Sequence, residues 1–352
     1  MKKKEQPSLV GIDLKRSYSH WVLITQAVPM LGVGLAFVLA FSYGIGWMEI
    51  ITFLSMVVLG SIGIEIGLHR YFSHKSFRAS EPMTVMLTIL GSMGGMGPVF
   101  YWVHYHRRHH QHSDTEKDPH SPNDVYVGGG GLLKRLLFAH LGWNYSDKTV
   151  NEAAELRGTL EVSKDLLRFT GSQAMLWVGR RYLYWVLLGI LLPATVCGLW
   201  QGTWYGFLSG ALWGGLVRIA VGQHSVWGTN SIAHSFGCRH FDTKDRSVNS
   251  QYVYLFFGLV GAVMIYLNAA ESVKIVGSIV FVFVFIFITM GGGWHNNHHA
   301  FPNCAVQQHS WWQIDPLGWL ILLWQKLGLV SGVTRLSTVG VKNPKNSDTT
   351  FS

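Results

Sequence analysis

Cysteine is scarce in this chain. Cys197, Cys238 and Cys304 are its only three, and their wide separation excludes a disulfide framework, a Cys-x-x-Cys redox or zinc pair and a cysteine-held iron–sulfur cluster. Charge is scarce as well. Asp, Glu, Lys and Arg make up 13% of the 352 residues and hydrophobic residues 49%, a balance that soluble domains of this length rarely show. The net charge of +9 comes without an RNA- or DNA-binding motif, which argues against nucleic acid as a partner. The cations lie in loops beside apolar runs, where anionic headgroups and a positive-inside orientation explain them. Composition therefore predicts an all-α integral membrane protein in contact with the lipid bilayer.

What the sequence has in plenty is uncharged length and histidine. A membrane helix needs roughly 20 apolar residues, and six stretches meet that need: 21–43, 47–68, 182–200, 203–223, 252–268 and 273–292. A seventh, 83–103, is uncharged but interrupted by "GSMGGMGP", and glycine and proline at that density weaken a helix. It is read as a re-entrant or interfacial segment. Lys2 to Lys4, Lys15, Arg16, Arg70, Lys75, Arg78, Arg180, Arg181, Arg239, Lys244 and Arg246 then all fall on one side, the cytoplasmic one. The opposite turns, "SYGIG", "WQGT" and "NAAES", contain no Lys or Arg. Both termini are placed in the cytoplasm. No small-residue cleavage site follows the first span, so a removed signal peptide is not expected. The expected organisation is one membrane domain, 1–335, with a flexible "GGGG" connector at 128–131 and a disordered tail at 336–352.

Seventeen histidines are distributed unevenly. "HRYFSH" (His69, His74), "HRRHH" (His106, His109, His110), "NSIAH" (Asn230, His234) and "HNNHH" (His295, His298, His299) all fall at or beyond cytoplasmic span ends. In a helix, positions i, i+3 and i+4 lie on one side, so each His-x-x-His-His box is expected to aim three imidazoles at one site. Two boxes exceed what one metal takes, and neutral imidazole suits iron, zinc or copper, so a two-metal centre is expected. His20, His224, His240 and His309 are read as surface or interfacial, and His104, His112, His120 and His140 as structural or supporting.

These motifs, with "DTEKDPHSP", "FAHLGW", "HSFGCRHFDT", "GWHNNHHAFP" and "WWQIDPLGW", resemble the membrane-bound fatty acid desaturases, within them the delta-9, acyl-CoA desaturase-like branch. The resemblance runs from about residue 60 to 328 in the family's order. It implies a cytoplasmic histidine-rich domain on four spans, here joined by 252–292, read as an extra hairpin whose even number of crossings returns His295 to the side of the other boxes, or alternatively as interfacial helices. It implies oxygen-dependent removal of two hydrogens from an acyl chain, giving a delta-9 cis double bond, at two iron ions ligated by His69, His74, His106, His109, His110, His234, His295, His298 and His299, with Asn230 acting through water. O2 is the co-substrate. The electrons come from an external donor, a ferredoxin or cytochrome b5, which a basic face with Arg107, Arg108, Lys134 and Arg135 could attract. General acid–base chemistry alone cannot open an unactivated C–H bond, which agrees with a metal–oxygen oxidant.

Trp102 matches a tunnel-lining tryptophan of the family, and Asp114, Asp118 and Asp242, with Glu65 and Asp245, are expected to orient ring N–H groups. Two departures stand out. Animal relatives carry an Arg and an Asp that contact coenzyme A where this chain has His104 and Tyr105, so the substrate is an acyl-CoA or an acyl-lipid. Relatives have a glutamate where this chain has Gly292. A histidine-box hydroxylase shares the same site and is the enzymatic alternative. A metal transporter is remote, since its ligands belong near mid-membrane.

Overall fold

The computed structural model describes residues 14–123, 131–155, 157–251 and 292–336. The uncharged stretches become helices because a helix satisfies its own backbone hydrogen bonds where lipid offers none. Among the described residues, three are long and apolar enough to cross a membrane: His20–Tyr43, Trp47–Ser73 and Tyr182–Gln201. The first lies within α1 (Leu14–Tyr43), the second joins α2 (Trp47–Ser61) to a π-helical continuation (Ile62–Ser73), and the third is α9 (Tyr182–Gln201). Leu31, Leu191 and Leu199 on these helices are exposed, as lipid-facing side chains are.

The fourth expected span, 203–223, lies in a helical run of α10 (Trp204–Gly210), a π-helical turn (Ala211–Val217) and α11 (Arg218–Ile232). It falls outside the set that is apolar enough, because Arg218 and several glycines dilute its hydropathy. Arg218 is buried and donates to the carbonyls of Met93 at 2.5 Å, Gly189 at 2.9 Å and Gly214 at 3.3 Å. A cation is thus spent on orphaned backbone acceptors, one of them near a helix end. The stretch 83–103 divides into α3 (Glu81–Met93) and α4 (Val99–His112), with Gly95 and Gly97 in the turn at φ of +77° and +96°, conformations that glycine adopts without strain. The expected spans 252–268 and 273–292, apart from Gly292, lie outside the described residues, as does the tail beyond Leu336.

The π-helical continuation of α2 is the centre of the core. Ile64, Ile66, Leu68 and Phe72 on it pack with Phe77, Leu87 of α3 and Ile321. Its approach to α3 depends on glycine, since a Cβ at Gly63 would overlap the backbone of Leu90 and Gly91. Among the described residues, the remaining α-helices lie toward the cytoplasmic-expected end: α5 (Leu132–His140), α6 (Asp147–Glu155), α7 (Arg157–Thr170), α8 (Gln173–Arg180), α12 (His295–Ala300) and α13 (Pro316–Lys326). Strands β1 (Arg78–Ala79) and β2 (Val330–Ser331) pair antiparallel and tie the chain's end to the loop after the first histidine motif. A buried ion pair clamps α13 to the same place. Arg70 meets Asp315 through two bonds of 2.8 and 3.0 Å. Asp315 also accepts from the backbone N–H of Gln307 at 2.7 Å and of Gly318 at 2.9 Å, capping α13.

Candidate metal centre

Four elements bring the histidines together. His69 lies on the π-helical segment and His74 just past it, His106, His109 and His110 on α4, His234 just past α11, and His295, His298 and His299 on α12. They form two groups. His69, His74, His106, His110 and His298 place one ring nitrogen each within 4.8 Å of one another, and so do His109, His234, His295 and His299. All nine expected histidines are used, five in one group and four in the other.

The boxes are divided differently from the sequence expectation. Each sends its i and i+4 imidazoles to one group and its i+3 imidazole to the other: His106 and His110 are parted from His109, and His295 and His299 from His298. The reason is rotational. At about 100° per residue, i+3 and i+4 fall on opposite sides of i, so a single box straddles two points. Each box therefore bridges the two groups and sets their spacing.

Inside each group, ring nitrogens face one another. Nε2 to Nε2 distances are 2.9 Å for His69 and His298, 2.7 Å for His74 and His106, 2.9 Å for His110 and His298, and 2.9 Å for His234 and His295. Carboxyl groups behind the rings decide what those nitrogens carry. Glu65 accepts from His69 Nδ1 at 2.7 Å, Asp118 from His109 Nδ1 at 3.0 Å, Asp114 from His234 Nδ1 at 2.9 Å and Asp245 from His299 Nδ1 at 2.6 Å. A proton held on Nδ1 leaves a lone pair on Nε2 aimed into the group. Lone pairs packed at such distances repel unless a cation lies between them, so the donor set fits metal ions.

Electrostatics agree with ligand chemistry. Burial, reinforced by neighbouring rings, holds His74, His106, His110, His295, His298 and His299 well below the usual imidazole range, so they are neutral near pH 7. Burial also pushes up the carboxyls of Asp114 and Asp118, but their bonds to His234 and His109 outweigh it and hold both below the ordinary carboxylate range. Asp118 raises His109 in return against the opposing effect of burial.

Asp242 is a correction. Its side chain is fully exposed and lies 3.7 Å from Arg239, and Asp245 holds the ring instead. The loop turns Asp245 inward by bonding its other oxygen to Thr243 Oγ1 at 2.9 Å and Ser247 Oγ at 2.6 Å. Arg107, read from sequence as a surface attractant, is committed internally to Asp165 at 2.7 Å and to the carbonyls of Ser73 and Phe72. His140 and His224 hydrogen-bond to each other at 2.9 Å.

Some supporting residues have no counterpart in the sequence reading. Asn249 accepts from the Asn296 backbone at 3.0 Å and donates to Asn297 Oδ1 at 2.8 Å. Asn296 Oδ1 receives the N–H groups of His240 and Phe241, both at 2.8 Å. All three asparagines are fully buried, and they anchor α12. Two asparagines inside a helical histidine box were the available signal, since asparagine is a weak helix former that buries only when bonded. His120 stacks on His109 at 4.3 Å and is buried.

A cavity reaches this centre, lined by Trp21, Thr25, Tyr101, Trp102, His106, Gln223 and Asn230 among others. Trp102 stacks on His106 at 5.9 Å. A second space lies against both histidine groups and is lined by Glu65, Trp102, Asn230, Gly292 and Gln307 among others. Glu65 is thus an acid in the space beside Gly292. Tyr105 is buried, its hydroxyl donating to the Thr149 carbonyl at 3.2 Å, which turns it inward.

Residues 45–323 match the family model described as fatty acid desaturase. Among known proteins, the chain is 38% identical over 315 residues to a hex-5-enoyl-(acyl-carrier protein) acetylenase of Moorena producens (strain JHB), covering 88% of this chain and 84% of that one. It is 30% identical over 276 residues to an sn-1 stearoyl-lipid 9-desaturase of Anabaena variabilis, covering 78% and 80%. It is 28% identical over 325 residues to a delta-9 desaturase-like 5 protein of Arabidopsis thaliana, covering 91% and 89%.

Proposed function

The chain belongs to the fatty acid desaturase family, and from that premise we propose that this fatty acyl desaturase removes two hydrogens from an acyl chain at a nine-histidine two-metal centre. The observation that carries the reading is the division of the histidines into two adjoining groups whose lone pairs converge. Iron is the metal proposed, with O2 as the oxidant. Bound there, the metal pair supplies the oxidising power that an unactivated methylene requires.

The chain's own residues do the rest. His69, His74, His106, His110 and His298 hold one ion, and His109, His234, His295 and His299 the other, with Asn230 acting through water. Glu65, Asp114, Asp118 and Asp245 fix the rings by holding Nδ1–H. Trp102 and the cavity beside it enclose the acyl chain and exclude water from the reacting methylenes. The centre lies on the cytoplasmic face of a single membrane domain, with both termini on that side.

The relatives support two product outcomes. Similarity to sn-1 stearoyl-lipid 9-desaturase supports a double bond at the delta-9 position of an acyl-lipid; cis geometry and acyl-CoA as the other carrier are proposed with it. A second reading, triple-bond formation on a short carrier-bound acyl chain, rests on the 38% identity to the acetylenase.

The test is product analysis in a desaturase-deficient host expressing the full chain, by gas chromatography and mass spectrometry with bond location, beside a His298→Ala control. A monounsaturated acid lost in the control supports the first outcome, and an alkyne lost in the control the second. An alcohol assigns the chain to hydroxylation. No control-sensitive product, with the protein in membranes and an electron donor supplied, contradicts the reading.

A further inference from the structure

We infer that the loop of residues 236–246 is the docking surface for the electron donor, and that it fits a small acidic one-electron carrier of the plant-type ferredoxin class. This rests on the desaturase reading, which requires electrons from outside the chain. The observation is a juxtaposition: an exposed basic loop hydrogen-bonded directly to the carboxyl groups that hold two histidines of one group.

The connections are short. Asp245, within the loop, holds His299 Nδ1 at 2.6 Å. The Arg246 backbone N–H donates at 2.7 Å to Asp114 Oδ2, the oxygen that holds His234 Nδ1 at 2.9 Å. The backbone of His240 and Phe241 donates to Asn296, the residue after His295. Three of the four histidines of one group are thereby one or two hydrogen bonds from a loop whose Phe236, Arg239, Lys244 and Arg246 are exposed. Electron transfer through protein falls steeply with distance, so a donor gains most by docking where the covering is thin and bonded to the acceptor.

Charge selects the partner. The loop shows three exposed cations, Arg239, Lys244 and Arg246, against one exposed acid, Asp242. Arg246 Nη1 is bonded to an amide oxygen, that of Asn123, at 2.8 Å, so its charge is not cancelled there. The patch around Arg107 differs in degree: Asp165 pairs with both Arg107 at 2.7 Å and Lys75 at 2.8 Å, whereas among the described residues only Arg239 of the loop has an acid partner, Asp242 at 3.7 Å. A positive surface steers an acidic partner and raises its encounter rate.

The stoichiometry closes. Each docking passes one electron and oxidises the donor once. Two such electrons, two protons from water and the two hydrogens taken from the acyl chain reduce one O2 to two water molecules.

The test uses the full chain in nanodiscs of zwitterionic lipid and oxidised plant-type ferredoxin as probe, with Kd read by calorimetry at low and high salt. Lys244→Glu is expected to weaken binding about fivefold at low salt and Asp242→Lys to strengthen it by a similar factor, both effects fading as salt screens them. Lys134→Glu, on α5, is expected to change little. The inference is overturned if ferredoxin does not bind, if the two loop variants leave Kd unchanged, or if Lys134→Glu carries the loss instead. It is also overturned if Lys244→Glu lowers retention on anionic vesicles without altering the ferredoxin Kd, which would make the loop a membrane contact. Binding of the oxidised probe needs no turnover. Failure of the desaturase reading would therefore appear separately, as no dehydrogenated product from wild type under a chemical reductant while the Kd pattern persists.

Discussion

Replacing Asp245 by Asn changes one atom and tests how the rings are held. Asp245 Oδ2 lies 2.6 Å from His299 Nδ1, while Oδ1 is occupied by Thr243 Oγ1 at 2.9 Å, Ser247 N at 3.0 Å and Ser247 Oγ at 2.6 Å. Three donors fix which way the amide must turn: its oxygen stays with them, and its NH2 faces His299. A donor opposite Nδ1 favours the tautomer with the proton on Nε2, which removes the lone pair that would bind the ion. Loss of such a support typically costs about 10- to 100-fold in metal affinity, or about 1.4–2.8 kcal/mol. The effect should be confined to the His109, His234, His295 and His299 group, since His299 belongs to that one alone. The assay is metal content per chain by plasma mass spectrometry during chelator competition. Asp245→Asn should lose one of two metals at roughly one tenth or less of the chelator that wild type tolerates, and keep the other. The reasoning is refuted if both metals are retained at wild-type chelator levels, or if both leave together.

Further perturbations reach other parts of the structure. Asp242→Asn should leave metal content unchanged, as measured in the same chelator series, because Asp242 faces solvent. Arg70→Met strands the buried Asp315 carboxyl and should cost about 3–5 kcal/mol, read as a lower Tm of the purified protein. Gly63→Ala should prevent the π-helical continuation of α2 from closing on α3, since the added Cβ overlaps Leu90 and Gly91 backbone; fluorescence-detected size exclusion should show little monodisperse protein. Burial, and then His224, lower His140 to about 4 from 6.5. Its neutral form is therefore the one the fold favours, so its contribution is intact above pH 6.5 and declines as pH falls toward 4. The pH dependence of Tm over that window should flatten in His140→Gln, by up to about 3 kcal/mol at the acid end.

The three helices long and apolar enough to cross were legible in the sequence because uncharged length leaves a chain few other choices. The break within 83–103 was legible for the opposite reason, since Gly95 and Gly97 supply a backbone that helices do not use. The helical run over 203–223 was legible in its hydropathy, whereas the pairing of Arg218 with carbonyls rather than with an acid was not. The nine histidines were recognisable from spacing and family motifs. Their partition was not, because a linear box says that three rings share a helix but not that two centres flank it. Among the acids, Asp242 and Asp245 are near neighbours in the same loop, and only the turn made by Thr243 and Ser247 decides which faces inward. The asparagine framework around Asn249 depends on contacts between residues about 47 positions apart, which no local pattern reports.

The most direct measurement is iron Mössbauer spectroscopy on the purified full chain loaded with enriched iron under reducing conditions. Two groups with five and four histidines predict two iron signals of equal area with distinct quadrupole splittings, and His298→Ala should alter the signal of the five-histidine group. A single signal, or binding of one iron per chain at saturation, would contradict a centre in which both groups hold a metal.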